Sequence, residues 1–157
     1  MPYEIIYKPI GIIHTPYTRK EVTPIQGCFS PNNQGYIELF PEYVAGLKDI
    51  EGFSHLILIY HFHKAEGFQL VAKPFLDKEK RGIFATRYFP RPNPIGLSIV
   101  KLYKINGPIL EVGEVDMLDG TPLLDIKPYV PQFDIKENVK NGWYKNASER
   151  SKYKIDI

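Results

Sequence analysis

Apolar residues fall in short runs broken by proline and glycine, with few stripes at helical spacing. Tyr3–Ile13 predicts a first strand, ended by Thr15-Pro16-Tyr17. From Thr18 to Asn33 no period holds, which predicts a long loop of the kind that more often works than idles. Gly35–Phe40 predicts a second strand. Pro41 and Glu42 then suit the first turn of a brief helix running toward Lys48. Phe53–Phe62 is the strongest strand, and its unbroken Leu56-Ile57-Leu58-Ile59-Tyr60 core predicts burial on both faces. It leads into His61 and His63, two residues apart and so on one face. Ile83–Thr86 predicts a short strand. Leu97–Ile105 alternates, and Asn106-Gly107-Pro108 should turn it into a hairpin with Ile109–Leu118. Asp119-Gly120-Thr121-Pro122 reads as a tight turn before a last core strand, Leu123–Ile126, closed by Lys127-Pro128-Tyr129. Beyond Phe133 the chain turns polar and basic, with a short helix expected over Ile135–Lys140.

Composition sharpens this picture. Eleven tyrosines and nine phenylalanines favour strands, while fourteen prolines and twelve glycines keep the elements short. The expected fold is mainly β with a few short helices, in one domain. Twenty Lys plus Arg against eighteen Asp plus Glu leave a formal charge of +2, too balanced to demand a nucleic-acid partner. A single cysteine, Cys28, allows no intrachain disulfide and no cysteine cluster for zinc. The first residues lack a basic region followed by an apolar run, and the longest apolar run is far too short to span a bilayer. A cytoplasmic protein without a membrane partner is expected.

Candidate chemistry concentrates in three places. Pro90, Pro92 and Pro94 forbid helix and central strand and stiffen a segment bearing Arg87, Arg91 and Asn93. Arginine forks suit carboxylates and phosphates, and asparagine suits a purine edge; solvated arginines on a rigid loop are the plain alternative. Asp119, Thr121, Asp125, Lys127 and Tyr129 form a second group, in which Asp125 and Lys127 also suit a simple ion pair. His61 and His63 lack a third ligand nearby, so no metal is expected. No GxGxxG, P-loop, HExxH or GxSxG motif occurs. Residue chemistry alone stops at a β-rich domain with a rigid, cationic, ligand-binding loop.

The segments Thr86-Arg87 … Arg91-Pro92-Asn93-Pro94-Ile95-Gly96 and Asp119-Gly120-Thr121-Pro122-Leu123-Leu124-Asp125-Ile126-Lys127-Pro128-Tyr129 resemble the signatures of the TsaA-like, or TrmO, family. Ile10–Tyr17 and Leu47–Leu56 are similar to its first and central strands. The resemblance implies a small non-Rossmann β-barrel, expected over residues 1–133; the polar, basic residues 134–157 are expected to be a tail and no separate domain. It implies a homodimer that uses S-adenosylmethionine to methylate N6 of threonylcarbamoyladenosine beside the tRNA anticodon. Arg87, Arg91, Pro92, Asn93, Pro94, Ile95, Gly96, Leu97, Asp119 and Thr121 would then hold the cofactor. Asp119, Lys127, His61, His63 and Tyr129 would serve the reaction. Two alternatives stay open: a non-catalytic S-adenosylmethionine or nucleotide-binding module, and a methyltransferase for another RNA or a small molecule. Tyr88-Phe89-Pro90 stands where the family often has Ser-Pro, which should reshape the pocket. For tRNA, a local patch of Arg19, Lys20, Lys140, Lys145, Lys152 and Lys154 is expected to outweigh the small net charge.

Overall fold

The computed structural model describes residues 3–19, 33–74 and 78–144. Its strands are β1 (Gly11–His14), β2 (Gln34–Leu39), β3 (His55–His61), β4 (Val71–Ala72), β5 (Arg81–Gly82), β6 (Ile95–Asn106), β7 (Ile109–Gly113) and β8 (Thr121–Pro128). Among the described residues six of them close into an antiparallel barrel in the order β1-β2-β7-β6-β3-β8. Closure leaves none of these strands with a free edge. The short β4–β5 pair lies apart from the barrel sheet. The expected β-barrel is therefore present, and its helices are short turns at 41–47, 50–52, 83–85 and 131–134.

Strand alternation builds the interior. Leu56, Leu58 and Tyr60 of β3 point inward with Ser98 and Val100 of β6, Ile13, Ile37, Leu39, Leu110, Val112 and Leu123. Val115, Met117 and Tyr17 join this core from outside the strands. Apolar side chains buried from water on this scale supply the main driving force of folding.

Several expectations change in the structure. The first strand starts only at Gly11; residues 3–9 are exposed and without regular structure. The apolar run of β3 is buried on one face only, because the barrel has one interior; Ile57 and Ile59 stand outward and half-covered. Opposite them on β6, Ile99 and Leu97 are also outward, so the run makes an apolar outer stripe. Ile83–Ala85 is a 3-10 turn and no strand. β7 stops at Gly113, since Glu114 adopts a left-handed φ of 61° that no strand continues. The last helix is the single turn Pro131–Asp134, with proline in its first turn, and does not occupy Ile135–Lys140. Most of the expected loop at 18–33 and the tail beyond Tyr144 lie outside the described residues.

Candidate active site

The proline-arginine segment leaves the β4–β5 pair through the turn at 83–85 and enters β6 at Ile95. Proline leaves it little backbone hydrogen bonding of its own, so it is fastened at points. The Ile83 amide donates to Leu70, Gln69 donates to Pro90, and Phe62 donates to Pro94. Arg91 turns back into the segment: its Nη1 donates to the carbonyls of Thr86 at 2.9 Å and Tyr88 at 2.8 Å. The Thr86 hydroxyl donates to Ile83 and accepts from the Tyr88 amide. Arg91 thus acts in the structure as an internal strut of the loop. The Tyr88-Phe89 departure has a visible function. Phe89 packs edgewise against Phe62, with centroids 6.4 Å apart, and Phe62 against Tyr60 at 5.6 Å. Aromatic packing ties the loop to the barrel where backbone hydrogen bonds cannot.

Gly96 is where the loop becomes strand. Any Cβ there would overlap the Tyr60 and Phe62 rings, so the position admits glycine for reasons of space. Beneath it the Tyr60 hydroxyl donates to Ser98 Oγ at 2.8 Å, and Ser98 donates to Asp116 at 2.5 Å. Burial, then the charge of Asp116, push the Tyr60 phenol well above its ordinary value, against the opposing effects of Ser98 and nearby Arg87. The buried Tyr17 hydroxyl makes no hydrogen bond of ordinary geometry, although Asn33 and Asp116 lie beside it.

A cavity of about 310 Å³ opens on the outer surface at this end of the barrel, lined by Tyr7, Pro9, His61, Asn93, Pro94, Ile95, Pro122 and Leu124. Both signature segments reach it: Asn93-Pro94-Ile95 from one, Pro122 and Leu124 from the other. Its walls are largely apolar, its polar side chains are Tyr7, His61 and Asn93, and among the described residues no lysine or arginine lines it. Gly96 itself is buried, while Leu97 points outward beside Ile59. Pro92 is exposed on the loop above.

The turn before β8 completes this end. Gly120, at φ 80°, donates its amide to Ile13, and a Cβ there would lie 4.0 Å from His63 Nε2. Asp119 accepts the Thr15 amide at 3.0 Å and lies 3.6 Å from His14 Nδ1. His14 also meets Glu38 at 3.0 Å and stacks on Tyr36. Thr121 is buried, its hydroxyl donating to Leu118 at 2.5 Å, so it closes the turn and does not face the cavity. Burial, then Lys64 and His61, hold His63 below the usual histidine value, with Asp119 opposing. This environment favours the neutral imidazole, the form that can accept a proton.

Lys127 and Tyr129 are elsewhere. Lys127 pairs in register with Ile57, four residues along β3 from His61, about 13 Å of strand. It is exposed and bound to Asp125 at 2.8 Å, the ion pair that its spacing allowed; that hydrogen bond raises its pKa. Tyr129 donates its amide to His55 and packs its ring edgewise on that histidine. Neither residue joins His61 and Asn93. A larger hollow of about 420 Å³ beside them, lined by residues such as Tyr43, Leu47, Ile50, Phe53 and Ile126, gathers no part of the arginine segment. The smaller cavity is the better candidate because both signature segments meet there. Among the described residues no cluster of three His, Cys, Asp or Glu side chains converges on a point, and no helix is long and apolar enough to cross a membrane.

Sequence reasoning missed Tyr7, Pro9, Pro122 and Leu124 as cavity walls, and the Tyr60–Ser98–Asp116 chain. The signal available for that chain was polar Ser98 at an inward position of an alternating strand.

Comparison with known proteins gives the family. Residues 12–135 match the family described as tRNA-methyltransferase O N-terminal domain. A protein of Pyrococcus abyssi named a probable S-adenosyl-L-methionine-binding protein is 53% identical, covering 99% of this chain and 85% of the relative. The mouse tRNA (adenine(37)-N6)-methyltransferase is 35% identical over 92% of this chain, which spans only 36% of the mouse protein. The crystal structure of TrmO from Pseudomonas aeruginosa superposes with a TM-score of 0.76 at 36% identity, over 90% of this chain and 63% of the solved one. A family match over residues 12–135, which takes in both signature segments, means that the chain belongs to the TrmO family.

Proposed function

We propose that this protein methylates N6 of threonylcarbamoyladenosine beside the tRNA anticodon, with S-adenosylmethionine held at the cavity between residues 93–95 and 122–124. Family membership makes it an S-adenosylmethionine-dependent tRNA methyltransferase. The mouse relative's name supports adenine N6 as the target atom, and the archaeal relative's name supports the cofactor. One observation carries the siting: the two signature segments, distant in sequence, wall a single cavity.

The lining fits such a ligand. Proline and leucine walls suit the faces of a heterocycle, and Asn93 with His61 suits its polar edge. At 310 Å³ the cavity is at the low end of the ligand-site range of roughly 300–1,000 Å³, room for the adenosyl portion alone. When bound, S-adenosylmethionine supplies an electrophilic methyl group on a positively charged sulfur. Among the described residues the lining carries no lysine or arginine to repel that charge. Neutral His63, near Gly120 and influenced by Asp119, is suited to take the proton that leaves N6. Arg87, outside the barrel yet close enough to influence Tyr60, is suited to a carboxylate or phosphate.

A second wall comes from a homodimer in this proposal. Ile57, Ile59, Ile95, Leu97 and Ile99 form an outer apolar stripe that runs into the cavity through Ile95. Ile5, Ile6 and Tyr7, exposed in the N-terminal segment, extend the apolar surface. A two-fold contact there would close two equal sites and bring a partner's Lys127 face toward each. Cytoplasmic tRNA is the proposed partner, gripped by local basic residues. Incubation with methyl-labelled S-adenosylmethionine and tRNA, followed by nucleoside mass spectrometry, should yield N6-methyl threonylcarbamoyladenosine. Label on another nucleoside would move the target, and cofactor binding without any transfer would leave a binding module.

A further inference from the structure

The single tryptophan of the chain, Trp143, lies beyond the last barrel strand, yet it reaches back to the residue just before the arginine segment. Trp143 Nε1 donates to the Ala85 carbonyl at 2.7 Å, across 58 residues. Ala85 ends the turn that immediately precedes Thr86 and Arg87. The Arg81 guanidinium lies 5.8 Å from the centroid of the Trp143 ring, so the indole is set between β5 and the start of the arginine segment. Tyr144 packs edgewise on the outer side of the indole.

We infer that Trp143 is a positioning residue of the arginine segment, a clasp by which the C-terminal segment orders residues 84–89 for the ligand; its effect on cofactor binding rests on the function proposed above. The physical need is visible. The backbone of this segment is fastened at its two ends, where the Ile83 amide donates to Leu70 and Gln69 donates to Pro90. Between them the Arg91 strut, the Phe89 contact and Trp143 act on it. Arg91 grips the carbonyls of Thr86 and Tyr88 from within, whereas Trp143 grips the carbonyl of Ala85 from another part of the chain. An ordering contact made before the ligand arrives lowers the entropy lost on binding. The C-terminal segment is thereby part of the cofactor loop's support, in addition to any role of its lysines toward RNA.

The test uses the full-length chain with Trp143→Phe, which keeps a ring and removes the donor, and Trp143→Ala. Hydrogen exchange without ligand is expected to rise about three- to tenfold at the Thr86 and Tyr88 amides in Trp143→Phe, as for loss of one hydrogen bond. The β3–β6 ladder amides should exchange as before, because the hydrogen bond and ring contacts of Trp143 are with Ala85, Arg81 and Tyr144, all outside the barrel strands. With tRNA as substrate, KM for S-adenosylmethionine should rise by a similar factor at nearly unchanged kcat, a split that general destabilisation does not produce. Unchanged exchange at Thr86 and Tyr88 in Trp143→Ala would overturn the clasp. Faster exchange with an unaltered KM would overturn its part in cofactor binding. If the unaltered protein fails to bind S-adenosylmethionine, the proposed function falls, while the exchange measurement still decides the clasp.

Discussion

Residues 83–94 and residues 119–128 both wall the proposed site, but one is fastened at points and the other along its length. The second enters the barrel as β8, paired with β1 on one side and β3 on the other. Its side chains are therefore placed by the same cooperative structure that makes the protein fold. The first is a proline-rich arch held by an arginine strut, a phenylalanine contact and an indole. Its order rests on local contacts and is expected to be lost without unfolding the barrel. Stability and ligand affinity should thus separate by segment.

The largest effect is expected in β8. Leu123 is fully buried between β1 and β3. Leu123→Ala should cost about 2–5 kcal/mol of stability, from lost burial and the cavity left behind. Urea unfolding measures it, and a loss under 1 kcal/mol would mean that the barrel tolerates slack at this strand. Any loss of ligand binding should follow the unfolded fraction.

Arg91→Ala should do the reverse. Two charged-donor hydrogen bonds inside the arch disappear, and S-adenosylmethionine affinity should fall by roughly 2 kcal/mol, with little change in the unfolding midpoint. Calorimetry and thermal melting on the same sample decide it. Equal affinity would show that the arch holds without its strut. A large drop in melting temperature would show that the two segments are not independent.

Tyr60 sits at the seam between them. Tyr60→Phe removes the bond to Ser98 and should cost about 1 kcal/mol at pH 7. In alkali the sign changes in a defined way. The folded state keeps the phenol proton that the unfolded chain releases near its ordinary pKa of 10.0. The neutral phenol's contribution is intact below that pH and is lost as pH rises, at about 1.4 kcal/mol per pH unit for one group. The gap between wild type and Tyr60→Phe should therefore shrink as pH climbs above 10. A constant gap would mean that Tyr60 ionises freely in the folded protein.

How much of this was legible follows from the same contrast. Strand existence was readable wherever alternation met a turn signal, as at Leu97–Ile105 and Asn106-Gly107. Barrel closure came from the family resemblance, because periodicity fixes which face is buried and not which strands meet. Ile57 and Ile59 misled because an apolar run looks alike whether its outer face meets a helix layer or stays at the surface. The chemistry of the arginine segment was read from residue type, which does not show that Arg91 Nη1 bonds back to the carbonyls of its own loop. Lys127 and Tyr129 shared a signature with Asp119 and Thr121, yet β8 is extended and carries its two ends apart. Trp143 gave no local signal, since its partner lies 58 residues away.

The smallest expected effect tests whether the firmly fastened side controls the proton. His63 follows the end of β3, and Asp119 precedes β8, so their separation is set by the barrel. Burial, Lys64 and His61 favour the neutral imidazole, while Asp119 favours the charged one. Asp119→Asn should therefore lower the His63 pKa further, and Lys64→Ala should raise it, as followed by proton NMR of the imidazole. A folded pKa below the unfolded value means that the neutral form's contribution to stability is present above the unfolded pKa and lost as pH falls through the folded one. Methyl transfer at saturating ligands should lose rate on the acid side at a pH below that of an ordinary histidine, and Asp119→Asn should move that limb to lower pH. The carboxylate also holds the Thr15 amide, so the asparagine, which keeps an acceptor oxygen, is the informative replacement. A His63 pKa that rises in Asp119→Asn would show that the charge of Asp119 does not reach the imidazole, and would remove His63 from the proposed proton transfer.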